Sequence, residues 1–183
     1  MVASFSMWRI ESHLEDAGAP YDGRAALYDR LVRSPVYNRL AWSTAPDDYA
    51  AFAAAAIGSS TGPLLEAAAG SAAATAHLHA VSERPTVLVD LSRDMLDRAG
   101  QSIAASAVNA AGAIPAHVRL VQADVLALPF AAGEFTTVLG LGLAHLFEDL
   151  PALVAALRAQ LAPGGRLYLA GLVAETRRAR RYL

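Results

Sequence analysis

Thr86-Val87-Leu88-Val89-Asp90-Leu91-Ser92-Arg93-Asp94-Met95-Leu96-Asp97-Arg98-Ala99 is the stretch from which the fold is read. Thr86 to Val89 is a short run of apolar and β-branched residues, which suits a strand buried on both faces. An acid closes the run, and Arg93 to Ala107 continues as a helical stretch. Outward from this unit the pattern repeats. Apolar runs at Pro63 to Ala67, Val118 to Val121, Thr136 to Leu139 and Arg166 to Gly171 read as four further strands. Between them lie Ala72 to Ala80, the Leu126 to Phe130 connection and Leu150 to Leu161. Strand and helix alternate, and right-handed crossovers turn that alternation into a parallel sheet. The expected fold class is α/β, a doubly wound, mostly parallel sheet of five strands. Ahead of it, Leu27, Leu31, Val36 and Leu40, then Tyr49, Phe52, Ala53 and Ala56, recur at helical spacing, and Thr44-Ala45-Pro46-Asp47 resembles a helix start. The chain is therefore divided into a helical extension or lid, 1–61, and a sheet domain, 62–183.

Composition narrows the partners. The 183 residues are 55% apolar, enough for one sizeable core. A net charge of -2 gives no basic footprint for nucleic acid. The absence of cysteine removes disulfides, thiolate metal sites and cysteine nucleophiles together. The N-terminal residues lack a basic segment followed by a long apolar run, so a soluble, cytoplasmic protein with no membrane partner is expected. His77, His79 and His117 share no metal-ligand spacing with acids and are assigned no site.

In an open parallel sheet the ligand lies beyond the carboxyl ends of the strands, where a turn of small residues lets backbone amides approach it. The first strand of the sheet domain leads into Glu66-Ala67-Ala68-Ala69-Gly70-Ser71-Ala72, in which Gly70 alone takes positive φ freely. Alone, this also describes an alanine-rich junction with one packing glycine. Asp90 follows about 20 residues later, where a carboxylate accepts hydrogen bonds from ribose hydroxyls. Its alternative role is N-cap of the following helix, for which Ser92 competes.

Four ordered motifs resemble the ubiquinone/menaquinone-type, small-molecule branch of class I S-adenosylmethionine-dependent methyltransferases, whose sheet is Rossmann-like. Val87 to Ala99 is similar to that family's second motif, in which the acid binds ribose and the methionine, here Met95, lies near adenine. Val121-Gln122-Ala123-Asp124-Val125-Leu126-Ala127-Leu128-Pro129-Phe130 resembles the third, which implies that Asp124 bonds the adenine amino group and Val125 packs on the ring. Glu134 to Gly140 with Leu143-Ala144-His145-Leu146 is similar to the fourth strand and its exit, and Leu161 to Leu169 to the turn into the fifth. The residues thus implied at S-adenosyl-L-methionine are Glu66, Ala68, Gly70, Asp90, Leu91, Met95, Asp124, Val125 and Gly140. Glu66 stands for the usual aspartate and keeps the carboxylate that holds the cofactor's amino group, directly or through water.

This sequence departs from the pattern twice. Ala68 and Ala72 occupy two of the three glycine places of the first motif. Alanine costs little there at negative φ, but its Cβ at 68 would crowd the methionine part of the cofactor. The family's last two strands are also expected to be absent, since too few residues follow Gly171 to supply them. Strand five is then expected at a sheet edge, which favours a homodimer through that edge. Arg177, Arg178, Arg180 and Arg181 read as a solvated helix face. Tyr21 and Tyr28 are candidate lid residues or core residues. The catalytic residue stays unassigned, with His145 as the nearest base by position or else a packing residue. Three functions are carried forward: methyl transfer to a small-molecule acceptor, a non-catalytic cofactor-binding domain, and an NAD-dependent oxidoreductase. Asp124 and the absence of any Tyr-Lys pair, in a chain with no lysine, argue against the last.

Overall fold

A strand with apolar side chains on both faces must be covered on both, and this sheet is. A computed structural model of the chain describes residues 8–14, 46–107 and 113–172. The strands are β1 (Ile10–Ser12), β2 (Leu64–Ala67), β3 (Thr86–Asp90), β4 (Val118–Gln122), β5 (Phe135–Gly140) and β6 (Leu161–Leu169). The helices are α1 (Pro46–Ile57), α2 (Ala76–Val81), α3 (Arg93–Ser106) and α4 (Leu150–Ala159). Strand order is β1-β4-β3-β2-β5-β6, with every pairing parallel. Alternate residues of each strand serve opposite layers. Val87 and Val89 join Leu65, Val138 and α4 residues Leu153 and Leu157 on one face. On the other face, Leu88 and Leu120 pack with α3 residues Leu96, Ala99 and Ile103, while Leu139 meets Ala53 and Ala56 of α1. Chain direction across the sheet reverses at β2, flanked by β3 and β5, so the crevice for a ligand lies at the carboxyl end of β2.

The α/β class and the five expected strands are present, and three local expectations are corrected. A sixth strand, Ile10–Ser12, lies in the segment expected to be helical and pairs with β4. Three residues are too few to show a period. What makes them a strand is the ladder edge of β4 together with burial of Ile10 beside α3, where Gly100 leaves room for the Trp8 ring. The fifth expected strand starts at Leu161, ahead of Arg166, and ends at Leu169, short of Gly171. Phe135 pairs with Leu161 but Thr137 with Arg166, so the Pro163-Gly164-Gly165 turn is a bulge inside the strand. The helix expected from Ala72 begins at Ala76, because Ala72 has φ of 54°. Tyr21, Tyr28 and the four C-terminal arginines lie outside the described residues.

The amino ends of the strands are tied by one buried side chain, Arg84, 5% exposed. Its guanidinium donates to the carbonyls of Gly62, at 2.5 Å, and of Ala56 and Ile57, at 3.1 and 2.8 Å. It also donates to the hydroxyls of Thr136 and Thr137, at 3.1 and 2.7 Å. Two of these acceptors are end carbonyls of α1, which lack intrahelical partners and carry the negative end of the helix dipole. Burial lowers the Arg84 pKa from its ordinary value, and the neighbouring Tyr168 opposes that shift. Arg84→Ala is expected to cost about 2–4 kcal/mol in urea unfolding, through acceptors left without donors. Arg84→Lys should recover less than half, because one ammonium cannot reproduce the fork.

Candidate functional site

All strands run the same way, so the exits of β2, β3, β4 and β5 gather along one edge of the sheet. Backbone bonds stitch neighbouring exits together. Ala69 N–H donates to the Val89 carbonyl (2.9 Å) and Ala123 N–H to that of Asp90 (3.1 Å). Gln122 Nε2 donates to the Leu91 carbonyl (3.0 Å), and its Oε1 accepts from Ser12 Oγ (3.1 Å).

The turn after β2 has three left-handed residues, Ala68 (φ 53°), Gly70 (φ 54°) and Ala72 (φ 54°). The alanines therefore do not sit where alanine is cheap. A left-handed alanine costs about 1–2 kcal/mol relative to the right-handed region. The turn nevertheless keeps the backbone path that glycines at all three places would favour. An ideal Cβ on Gly70 meets no atom of the described residues within 4 Å.

Asp90 aims its carboxylate across this turn. Oδ2 accepts from Gly70 N–H at 2.8 Å and Oδ1 from Ser92 N–H at 2.9 Å. The N-cap of α3 is Ser92, whose hydroxyl accepts from Met95 N–H, so the capping alternative for Asp90 is removed. These two backbone donors fix the plane of the carboxylate. Asp124 makes the equivalent local turn after β4, its Oδ1 accepting from Leu126 N–H at 2.9 Å.

Ala68, Gly70, Asp90, Leu91 and Asp124 are thus brought to one rim, each at least partly exposed. Met95 and Val125 lie behind it at 3% and 7% exposure, Val125 in the core with Val87 and Val89. Gly140 is buried at the exit of β5, where a Cβ would meet Leu169 Cδ1 at 3.0 Å. Glu66 is 2% exposed and turned toward α2, with Oε1 accepting from Thr75 Oγ1 at 3.0 Å and Oε2 lying 2.5 Å from His79 Nε2. The sequence reading missed this pairing. Its only trace there is a histidine and a threonine spaced four apart on the helix after the turn.

Sequence comparison matches residues 64–165, more than half of the chain, to the family described as a methyltransferase domain. This chain belongs to the methyltransferase-domain family. Solved structures agree with the fold. A protein described as an S-adenosyl-L-methionine-dependent methyltransferase, from Methanococcus maripaludis, superposes at TM-score 0.63 with 19% identity, over 86% of this chain and 67% of its own. A Bacillus halodurans protein described as a methyltransferase gives TM-score 0.55 with 25% identity, over 66% of this chain and 49% of its own. A complex of DhpI with SAH gives TM-score 0.55 with 25% identity, over 80% and 63%. The methyltransferase domain thus spans about two thirds of the first structure and about half of the second. Among curated proteins no match is found.

His145 sits in a short 3-10 turn, Ala144–Leu146, after β5 of the methyltransferase domain. Its Nδ1 accepts from Leu172 N–H at 3.3 Å, which commits that lone pair to joining the exits of β5 and β6 and leaves the proton on Nε2. Burial lowers its pKa below the ordinary 6.5. With the folded value below the unfolded one, its contribution to stability is present above about pH 6.5 and lost as pH falls through the folded value. Histidine NMR should show His145 titrating below 6.5. His145→Gln should make stability less steep in pH between about 7 and 5, and an equally steep variant would contradict this assignment.

Proposed function

We propose that the domain binds S-adenosyl-L-methionine across the carboxyl ends of β2, β3 and β4 and transfers its methyl group to a small molecule. The observation that carries the reading is the Asp90 carboxylate, held by Gly70 N–H at 2.8 Å over a turn that no other described residue crowds at Gly70. The residues present fit the cofactor. Asp90 takes the ribose hydroxyls, the Ala68–Ala72 turn receives the methionine part, and Asp124 accepts from the adenine amino group. Leu91, Met95, Val125 and Gly140 flank adenine and the strand exits. When bound, the cofactor supplies a methyl group already activated by positive sulfur. The chain's share is then alignment: two oriented carboxylates and a fixed backbone turn present that methyl to an incoming nucleophile.

The DhpI complex with SAH supports this reading by its shared fold, as does family membership of residues 64–165. A second reading, cofactor binding without turnover, is favoured by the committed Nδ1 of His145, which leaves that imidazole no free lone pair to act as a base. The ubiquinone/menaquinone-type branch and a small acceptor rest on the motif resemblance. The outer edge of β6 has no strand partner among the described residues, which supports the expected self-association. Light scattering should show mass rising with concentration, and a constant monomer mass would remove that expectation. No helix among the described residues is long and apolar enough to cross a membrane.

Calorimetry should show S-adenosylhomocysteine binding more tightly than NAD. Asp90→Ala should weaken it by about 1.5–3 kcal/mol, the cost of losing a charge-assisted bond and leaving donors unpaired. Equal or tighter NAD binding would sink the reading, and an unchanged Asp90→Ala constant in a folded variant would remove Asp90 from the site.

A further inference from the structure

The strained turn sits between two ends of one buried cluster. Glu66, in β2 just before it, meets Thr75 and His79 just after it. Thr75 and His79 are fully buried and Glu66 nearly so, and each carboxylate oxygen has its own donor on the far side of the turn. His79 Nδ1 has no hydrogen-bond partner among the described residues. A proton on Nε2 leaves that buried Nδ1 as a bare lone pair, whereas a proton on Nδ1 would bury an N–H with no acceptor and set a lone pair against a carboxylate. His79 is therefore the donor, and Glu66 is its only side-chain hydrogen-bond acceptor among the described residues. Outside the ring, the helix-backbone carbonyl of His79 contacts His117 Nε2 at 3.1 Å.

Two alanines at positive φ favour relaxation toward ordinary backbone, and relaxation would carry the Gly70 amide away from Asp90. Strain of this kind persists only where the surroundings over-determine it. The Glu66 cluster is the bracket that spans the strained residues. We propose that His79 is a positioning residue, which through Glu66 holds the Ala68–Ala72 turn in the shape the cofactor needs. Its role as a cofactor determinant rests on the binding reading above, while the bracket itself does not.

The test is a cycle on the full chain. His79→Leu keeps the volume and removes the donor, and His79→Gln keeps a donor. Each is made in the native background and with Ala68→Gly/Ala72→Gly, which relieves the strain. His79→Leu should raise the Kd for S-adenosylhomocysteine about tenfold and speed ligand-free exchange of the Gly70 amide, with His79→Gln within about threefold of native. In the glycine background the His79→Leu loss should shrink to about threefold or less, because strain and bracket are coupled. Equal losses in both backgrounds, or none in either, would overturn the proposal. If His79→Leu does not fold, Thr75→Val removes the other donor with little change in shape and carries the same expectation. Should the native chain fail to bind S-adenosylhomocysteine, the cofactor reading falls, while Gly70 exchange across the same variants still decides whether the bracket exists.

Discussion

The hydrogen bond from Gly70 N–H to Asp90 Oδ2 is the contact on which the functional end of this domain depends. It crosses from the exit of β2 to the exit of β3, the two strands on one side of the switch point. Without it only the backbone bond from Ala69 N–H to the Val89 carbonyl joins the turn to the exit of β3, and the carboxylate has no tie to the turn. With it they form a single surface whose charged face has a set direction. Asp90's second oxygen continues the line to Ser92 N–H, and Ser92 in turn caps α3. The carboxylate orientation is thus coupled to the start of a helix whose buried face packs on the sheet.

Stability and site occupy opposite ends of the same strands. At the amino ends, Arg84 ties α1 to the segment leading into β2 and to Thr137 in β5 through neutral acceptors. At the carboxyl ends, alanine replaces glycine in a turn that still adopts left-handed geometry. The energetic penalty of that substitution falls on the site, and the buried Glu66–Thr75–His79 cluster lies where it can oppose it.

The strands were legible because parallel, doubly covered strands read as short apolar runs, as Thr86 to Val89 does. The turns at the two acids follow from those strands, since Asp90 closes β3 and Asp124 lies two residues past the end of β4. Ile10–Ser12 was not legible, because a three-residue edge strand is decided by its neighbour β4 and carries no period of its own. Nor was the left-handed geometry of Ala68 and Ala72, where local preference points the other way and tertiary context prevails. Glu66 was read as a cofactor ligand from its place before the turn. Its side chain reaches Thr75 and His79 at α2, a contact that depends on how the helix docks and that spacing alone does not announce.

The most direct measurement of the central claim is an amide titration of the labelled chain with S-adenosylhomocysteine. The account predicts saturable shifts at Gly70, Leu91, Ser92 and Leu126, the amides around Asp90 and Asp124, with Gly58 and Gly62 beside Arg84 unmoved. Saturable binding that shifts the Arg84 end and leaves Gly70 and Ser92 in place would contradict it.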